Sequence, residues 1–420
     1  MVQAWGSNSS SSRPVNEPVC WASLVFVAAA AALILTLDAG SAEAAVAKCS
    51  GVYATFVGTH RPDTISGRPD RDVVHAHGES DKVRGNRDAD LLCGGKGIDR
   101  VTGNRGNDRM MGQNGDDALF GGPGDDVLVG GDGVDSAHGG LGTDVCFAET
   151  MESCEYRGEV VETYRQAAES TADALWFEPG TYVGNLTQPE RARWYAAPGV
   201  RIEGELTSGQ GGRLDGFEVA GAVVGVRCRA GSTCRDLDVH HHSQSGIQIG
   251  GGWVDLINNF VHDNNLDLEP VHGDNPCWNS GGIHMVVGNN VSLTGNRLIH
   301  NGCDGVHADT GARFDKFKDN LITDNSRFGI FIEISCDMTI RDNRIQDNNF
   351  AGVAVYNSPR VAVYDNVFGG NGGPGVRWWD RADRPYGPGA ADCQPKDSTG
   401  GYASGNVRNG DGIVNEPAPV

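Results

Sequence analysis

Counted in nines from Gly58, ten successive lines of this sequence align without a gap, and few folds tolerate so strict a register. The sixth position is Asp in every line: Asp63, Asp72, Asp81, Asp90, Asp99, Asp108, Asp117, Asp126, Asp135 and Asp144. The eighth is apolar or small throughout, from Ile65, Val74 and Val83 to Leu128, Ala137 and Cys146. The first is Gly except at Ala76, and includes Gly94, Gly103, Gly112, Gly121, Gly130 and Gly139. From the fifth line onward the fourth position is Gly as well: Gly97, Gly106, Gly115, Gly124, Gly133 and Gly142. In the first four lines it is Arg61, Asp70, Glu79 and Asp88. Glycine permits the turns of a tight coil, the apolar column supplies a thin core, and the aspartates supply hard oxygen ligands suited to calcium. A core of one side chain per line is too small to hold the coil alone, so folding is expected to be coupled to metal binding.

The pattern resembles the RTX (hemolysin-type) nonapeptide repeat, G-G-x-G-x-D-x-U-x. Gly94-Gly95-Lys96-Gly97-Ile98-Asp99-Arg100-Val101 and Gly121-Gly122-Pro123-Gly124-Asp125-Asp126-Val127-Leu128 match it fully. The resemblance implies a parallel β-roll that binds Ca2+ through Asp99, Asp108, Asp117, Asp126, Asp135, Asp144, Gly95 and the two glycine columns from Gly94 and Gly97 onward. The first four lines, without the second glycine column, are expected to be coil with poorer metal sites.

A second period follows. Asn264, Asn301, Asn325, Asn348 and Asn371 each stand five residues after Asn259, Asn296, Asn320, Asn343 and Asn366. Short Val/Ile runs begin at Gly246-Ile247, Gly282-Ile283, Gly305-Val306, Gly329-Ile330, Gly352-Val353 and Gly375-Val376. Stacked Asn amides at bends predict a right-handed, single-stranded parallel β-helix, with two strands expected per coil. Residues 156–380 resemble the pectate-lyase-like superfamily, whose fold hosts lyases, hydrolases, epimerases, esterases and adhesins. Residues 160–174 are expected to form a short amphipathic helix capping the coil stack. The domains read as 1–45 signal segment, 46–157 β-roll, 158–395 β-helix and 396–420 tail, an all-β chain.

Strand alternation turns Ile283, Val306, Ile330, Val353 and Val376 inward. His284, His307, Phe331, Ala354 and Arg377 then face outward, and two residues on so do Val286, Asp309, Glu333, Tyr356 and Trp379. His284, His307, Asp309 and Glu333 are therefore candidate catalytic residues, and Tyr356, Arg377 and Trp379 candidate contacts for a carbohydrate. Two carboxylates in adjacent coils suit acid/base work on a glycosidic bond. Alternatively they hold calcium against a uronate, while a histidine or Arg377 takes the C5 proton for β-elimination. The bland alternative is a solvated strand face. Eight of the twelve histidines lie between His240 and His307, and an insert at 265–280 carries Asp267, Glu269, His272, Asp274 and Trp278. Alternation parts His240 and His242 from His241, which makes these three solvated bend residues rather than one metal cluster.

The two coils Gly305-Val306-His307-Ala308-Asp309 and Gly329-Ile330-Phe331-Ile332-Glu333-Ile334-Ser335 resemble a subgroup of secreted β-helix proteins with G-[LV]-x-x-D and G-I-x-x-E-I-S coils. The pairing of RTX repeats with a β-helix also resembles mannuronan C5-epimerases, with the order reversed and without their Asp-Pro-His-Glu motif.

A formal charge of −21 argues against nucleic-acid binding and suits carboxylates neutralised by divalent cations. The apolar run Val19–Leu37, followed by Ala42-Glu43-Ala44, reads as a cleaved signal peptide or an uncleaved anchor. Beyond Cys20, ten cysteines suit disulfides in an oxidising compartment. Closeness in sequence suggests Cys146 with Cys154 and Cys228 with Cys234; Cys49 with Cys93, and some pairing among Cys277, Cys303, Cys336 and Cys393, are guesses that spacing does not carry. The expected protein is extracellular or on the cell surface and calcium-binding. It is either a polysaccharide lyase or glycoside hydrolase acting on an extracellular polysaccharide, or a non-catalytic glycan-binding adhesin with a calcium-stiffened stalk.

Overall fold

The computed structural model describes residues 47–266, 277, 280–379 and 400–409. The signal segment, Cys20, Cys393 and the insert residues Asp267, Glu269, His272, Asp274 and Trp278 lie outside them. Among the described residues no helix is long and apolar enough to cross a membrane.

Successive nine-residue lines alternate between two parallel sheets, so one coil of the roll takes two lines. The pairing offset is therefore eighteen residues: Val83 pairs with Val101, and Leu92 with Met110. The eighth-position column closes on itself as the core, with Val74, Val83, Leu92, Val101, Met110, Leu119 and Leu128 fully buried. The second glycine column has φ between 119° and 150°. A Cβ at Gly115 would collide with the carbonyl oxygen of Gly97 one coil earlier. In the earlier lines Glu79 and Asp88 take tighter left-handed values, φ 68° and 70°.

Among the described residues the β-helix has three parallel sheets, of eleven, ten and nine strands, and so three strands per coil rather than two. One coil runs through Asp255–Ile257 in the first sheet, Phe260–His262 in the second and Gly281–Asn289 in the third. The second-sheet strand lies between the two Asn columns and is only three residues long. It turns one apolar side chain inward (Val261, Leu298, Ile322, Ile345), so no alternation marks it in the sequence. The Asn columns are continuous buried ladders. In the first, each Nδ2 donates to the next Oδ1, 2.9 Å from Asn259 to Asn296, 3.0 Å from Asn296 to Asn320 and 2.9 Å from Asn320 to Asn343. The same amides also donate to core carbonyls, as Asn320 does to Leu293. Corner backbone groups hidden from water are satisfied in this way.

Two boundaries differ from expectation. The helix is confined to Tyr164–Glu169, because Glu159–Val161 already pairs as the first strand of the first sheet; a Thr163/Gln166 capping box fixes its start. The expected tail begins as solenoid instead, since Tyr402–Ser404 and Val407–Asn409 extend the first and second sheets. Disulfides join Cys49–Cys93, Cys146–Cys154, Cys228–Cys234 and Cys277–Cys303.

The roll packs along the side of the first sheet, not end-on as a stalk. Phe147 lies against Trp176 and Tyr195, with ring centres 6.0 and 6.1 Å apart. Further back in the roll, Arg109 donates to the Ala196 carbonyl (3.0 Å), and Arg71 and Leu91 share a cleft with Gly216 and Arg235. Contacts thus advance along the solenoid as the roll is followed backward. Asp215 is the electrostatic centre of this seam, 3.2 Å from Arg109, 2.8 Å from Arg213 and 3.5 Å from Arg235. Burial alone would raise its carboxyl, but the three guanidiniums outweigh that and hold it below the usual range. Removing it leaves three half-buried guanidiniums without their shared carboxylate, so Asp215→Ala is expected to cost up to, but not beyond, the ~3–5 kcal/mol of breaking a fully buried pair in denaturant melts. Arg109→Met, which leaves two partners, should cost clearly less.

Asp315 is a buried carboxylate with an opposite sign of effect. Its Oδ1 accepts the Val291 N–H at 2.7 Å, its Oδ2 has no hydrogen-bond partner among the described residues, and burial pushes it up to about 7. Below about pH 4 both folded and unfolded chains keep this proton, so the group contributes nothing there. Between that point and about 7 the unfolded carboxyl ionises first, and the penalty grows to a few kcal/mol at ~1.4 kcal/mol per unit. Asp315→Asn is therefore expected to raise Tm more at about pH 8 than at about pH 5. An equal shift at both would contradict it.

Candidate functional site

The third sheet carries the residues that alternation turns outward, in the expected register. His284, His307, Phe331, Ala354 and Arg377 pair in one column, and Val286, Asp309, Glu333, Tyr356 and Trp379 in the next. The columns extend back to Gln248 and Arg227, and to Gly250 and Arg229. A cleft of about 430 Å³ lies at this earlier end, lined by Arg227, Arg229, Gln248 and Val286 among others. One face therefore runs from two arginines, through imidazoles and carboxylates, to aromatic rings.

In the middle, His307, Asp309 and Glu333 each offer a ligand atom within 4.8 Å of the other two. His307 is 2% exposed and His284 is fully buried, so these outward-turned imidazoles do not face open solvent. Their rings lie 5.3 Å apart, and their ring nitrogens make no hydrogen bond among the described residues. Burial, with His307 beside it, pulls His284 down to about 3, so it is neutral at physiological pH. His307 sits between two carboxylates, with Nε2 3.6 Å from Glu333 and Nδ1 3.8 Å from Asp304. Asp304 was not singled out by the sequence, because strict alternation assigns it to the inward side. It stands where the chain enters the strand Asp304–Asp309, and accepts the Phe328 N–H at 3.1 Å. Burial raises its carboxyl above the usual range, against the pull of Arg327 and His307.

The carbohydrate-contact candidates lie further along. Phe331 and Trp379 stack at 6.0 Å with 11° between planes, Tyr356 is 5.5 Å from Trp379, and Arg377 lies over the Trp379 ring. Tyr356 is only 5% exposed and belongs to an apolar cluster with Phe328 and Phe331. Arg377 is three coils beyond His307, or ~14 Å at ~4.8 Å per coil. It is two coils beyond the coil of Glu333, or ~10 Å.

In the roll, the sixth-position aspartates form two interleaved ladders. Each Oδ1 accepts the backbone N–H of the Asp eighteen residues earlier, as Asp117 does from Asp99 (2.7 Å) and Asp126 from Asp108 (2.7 Å). From Asp81 to Asp144, all eight Oδ2 atoms are buried without a hydrogen-bond partner among the described residues. Asp63 and Asp72 differ, since their Oδ2 atoms accept the Thr59 and Arg68 N–H groups. Burial pushes Asp108 up to about 8, and Asp117 and Asp126 to about 7, with neighbouring carboxylates adding to the rise.

A protein-family model for the RTX calcium-binding nonapeptide repeat matches four times, over residues 58–92, 84–119, 94–128 and 111–146. A second, for a right handed beta helix region, matches residues 207–383. The chain is an RTX-bearing right-handed parallel β-solenoid. Among solved structures, its fold is similar to the periplasmic alginate epimerase AlgG (11% identity, TM-score 0.37, covering 84% of this chain and 77% of that one). It is also similar to the pectate lyase Pel9A (14%, 0.40, 63% and 82%) and to the Azotobacter vinelandii mannuronan C-5 epimerase AlgE4 A-module (12%, 0.37, 84% and 87%). No curated protein sequence matches it.

The RTX ladder fits calcium on its own geometry. Eight buried carboxylate oxygens without donors are a large electrostatic cost unless cations lie among them. Asp99 to Asp144, with carbonyls of the glycine-rich turns, are the residues that would hold the ions. Asp81 and Asp90 share the orphaned oxygen, so the feature begins two lines earlier than the glycine column suggests. Glu149 and Glu155 were missed: they accept the Asp135 and Asp144 N–H groups at 2.8 and 2.7 Å. They lie beyond the nine-residue register, which hides them from a periodicity argument.

Proposed function

We propose that this RTX β-solenoid is a secreted carbohydrate-active enzyme that cleaves an anionic extracellular polysaccharide by β-elimination on its third sheet. The observation that carries the reading is the convergence of His307, Asp309 and Glu333 within 4.8 Å. Inverting hydrolysis needs carboxyls ~6.5–9.5 Å apart and retaining hydrolysis ~5–5.5 Å, so the spacing of Asp309 and Glu333 disfavours only the first, and it is the imidazole beside them that favours elimination. A cluster around an imidazole suits removal of one proton. The His307 lone pair takes the C5 proton of a uronate, the C4–O bond breaks as C4=C5 forms, and the imidazolium returns the proton to the departing oxygen. Glu333 and Asp304, on either side of the ring, stabilise the transient imidazolium. Asp309 and Glu333 also offer oxygens to a cation that would neutralise the uronate carboxylate. Arg227 and Arg229 supply positive charge along the same columns, and Trp379, partly exposed against buried Phe331, an aromatic face for a sugar. The disulfides favour an oxidising compartment, extracellular or periplasmic.

The test is a screen of the calcium-loaded full chain on polygalacturonate, mixed mannuronate–guluronate polymers and neutral glucans. Ultraviolet absorbance of an unsaturated uronate supports elimination. New reducing ends without that absorbance would assign glycoside hydrolysis instead. Retained glycan binding with neither product would make the protein a non-catalytic binder, a role for which the aromatic surface alone suffices.

A further inference from the structure

The histidines crowded between His240 and His307 do not all serve the third sheet. His284 and His307 do, whereas His240 and His262 stand on the outer face of the second, with His241 and His300 at the turns that follow their strands. His242 is neither solvated nor a ligand: it is 2% exposed, with Nε2 3.0 Å from the Val219 carbonyl. The strands Glu218–Ala220, Asp238–His240 and Phe260–His262 pair in register. Glu218 and Asp238 therefore form one outward column and His240 and His262 the next. The two imidazoles stack at 5.0 Å with 25° between planes. His262 Nε2 lies 2.9 Å from Asp238 Oδ1, and His240 Nε2 lies 3.2 Å from Glu218 Oε1. One ligand atom each from Asp238, His240 and His262 falls within 4.8 Å of the others. Small side-chain rotations bring that span onto a single ion with bonds of ~2.0–2.2 Å.

Behind this cluster Asp263 accepts from both flanking rings, 2.6 Å from His262 Nδ1 and 2.6 Å from His300 Nδ1. A carboxylate on Nδ1 fixes the tautomer whose Nε2 lone pair points at the cluster, the arrangement that orients metal-bound histidines. We propose that Asp238, His240 and His262 bind a transition-metal dication of the zinc class, with Asp263 as the positioning residue. Two imidazoles and a carboxylate select such an ion over calcium, which prefers oxygen alone. The site is separate from the aspartate ladders and from the third-sheet cluster, and stands whether or not that cluster is catalytic.

The experiment is calorimetric titration of zinc chloride into the calcium-saturated full chain, with Tm measured alongside. One zinc ion per chain is expected, with a rise in Tm. His240→Gln and His262→Gln should abolish both effects, and Asp263→Asn should weaken binding about 10- to 100-fold. His307→Gln should leave zinc binding unchanged. Far-ultraviolet circular dichroism of each variant after calcium is chelated, when the β-helix alone supplies the signal, reports whether it folds. Absence of zinc binding by the wild type, its survival in the His240→Gln/His262→Gln double variant, or its loss in His307→Gln alone would each overturn the assignment.

Discussion

Chelating calcium is expected to unravel the roll between Cys93 and Cys146 and to leave the β-helix folded. The roll's apolar core is one side chain per line, whereas its ladder buries eight carboxylate oxygens that have no donor. Without cations those groups must either protonate, as the raised Asp108, Asp117 and Asp126 indicate, or reach water by unfolding. An ion present at ~1,000 times its Kd contributes ~4 kcal/mol per site, enough for a few sites to decide the state of a small coil. The β-helix keeps its own larger core and its Asn ladders. Disulfides Cys49–Cys93 and Cys146–Cys154 pin the two ends of the roll. Because the roll lies against Trp176, which is 2% exposed, its loss should also shift tryptophan fluorescence to the red. Asp117→Ala removes both an oxygen of the ladder and the acceptor of the Asp99 N–H, and should raise the calcium midpoint about tenfold or more, ~1.4 kcal/mol. Circular dichroism that does not change with calcium would refute the coupling, and simultaneous loss of the whole solenoid would refute the independence of the β-helix.

The second large effect is expected at His307. If it carries the proton, His307→Ala should lower kcat by ~10²–10⁴-fold with KM little changed. Glu333→Gln should fall in the same range, because it removes the charge 3.6 Å from the ring. Asp304→Asn should give a smaller loss, since it acts only through His307. Arg229→Ala, at the cleft end of the same face, should raise KM and leave kcat nearly intact. A His307→Ala protein that folds and turns over at the wild-type rate would remove the imidazole from the chemistry.

Much of the architecture is legible in the residues because solenoids are built from local, repeating contacts. The nine-residue register fixes which side chains enter the roll's core. The paired Asn columns fix the corners of the β-helix. Strand alternation fixes which residues share the third-sheet columns, down to Val286 beside Asp309 and Glu333 beside Tyr356. These follow from sequence because each coil contacts its neighbours at a constant offset.

What escaped were contacts between parts with no common period. The second-sheet strand of each coil is too short to alternate. The docking of the roll on the first sheet, centred on Asp215, joins Arg109 to a residue 106 positions away. The burial of His284 and His307, the approach of Asp304 to the ring, and the zinc-class cluster at Asp238, His240 and His262 depend on corner geometry and on diagonal neighbours. Periodicity specifies what repeats along the axis; only the folded chain decides what meets across it.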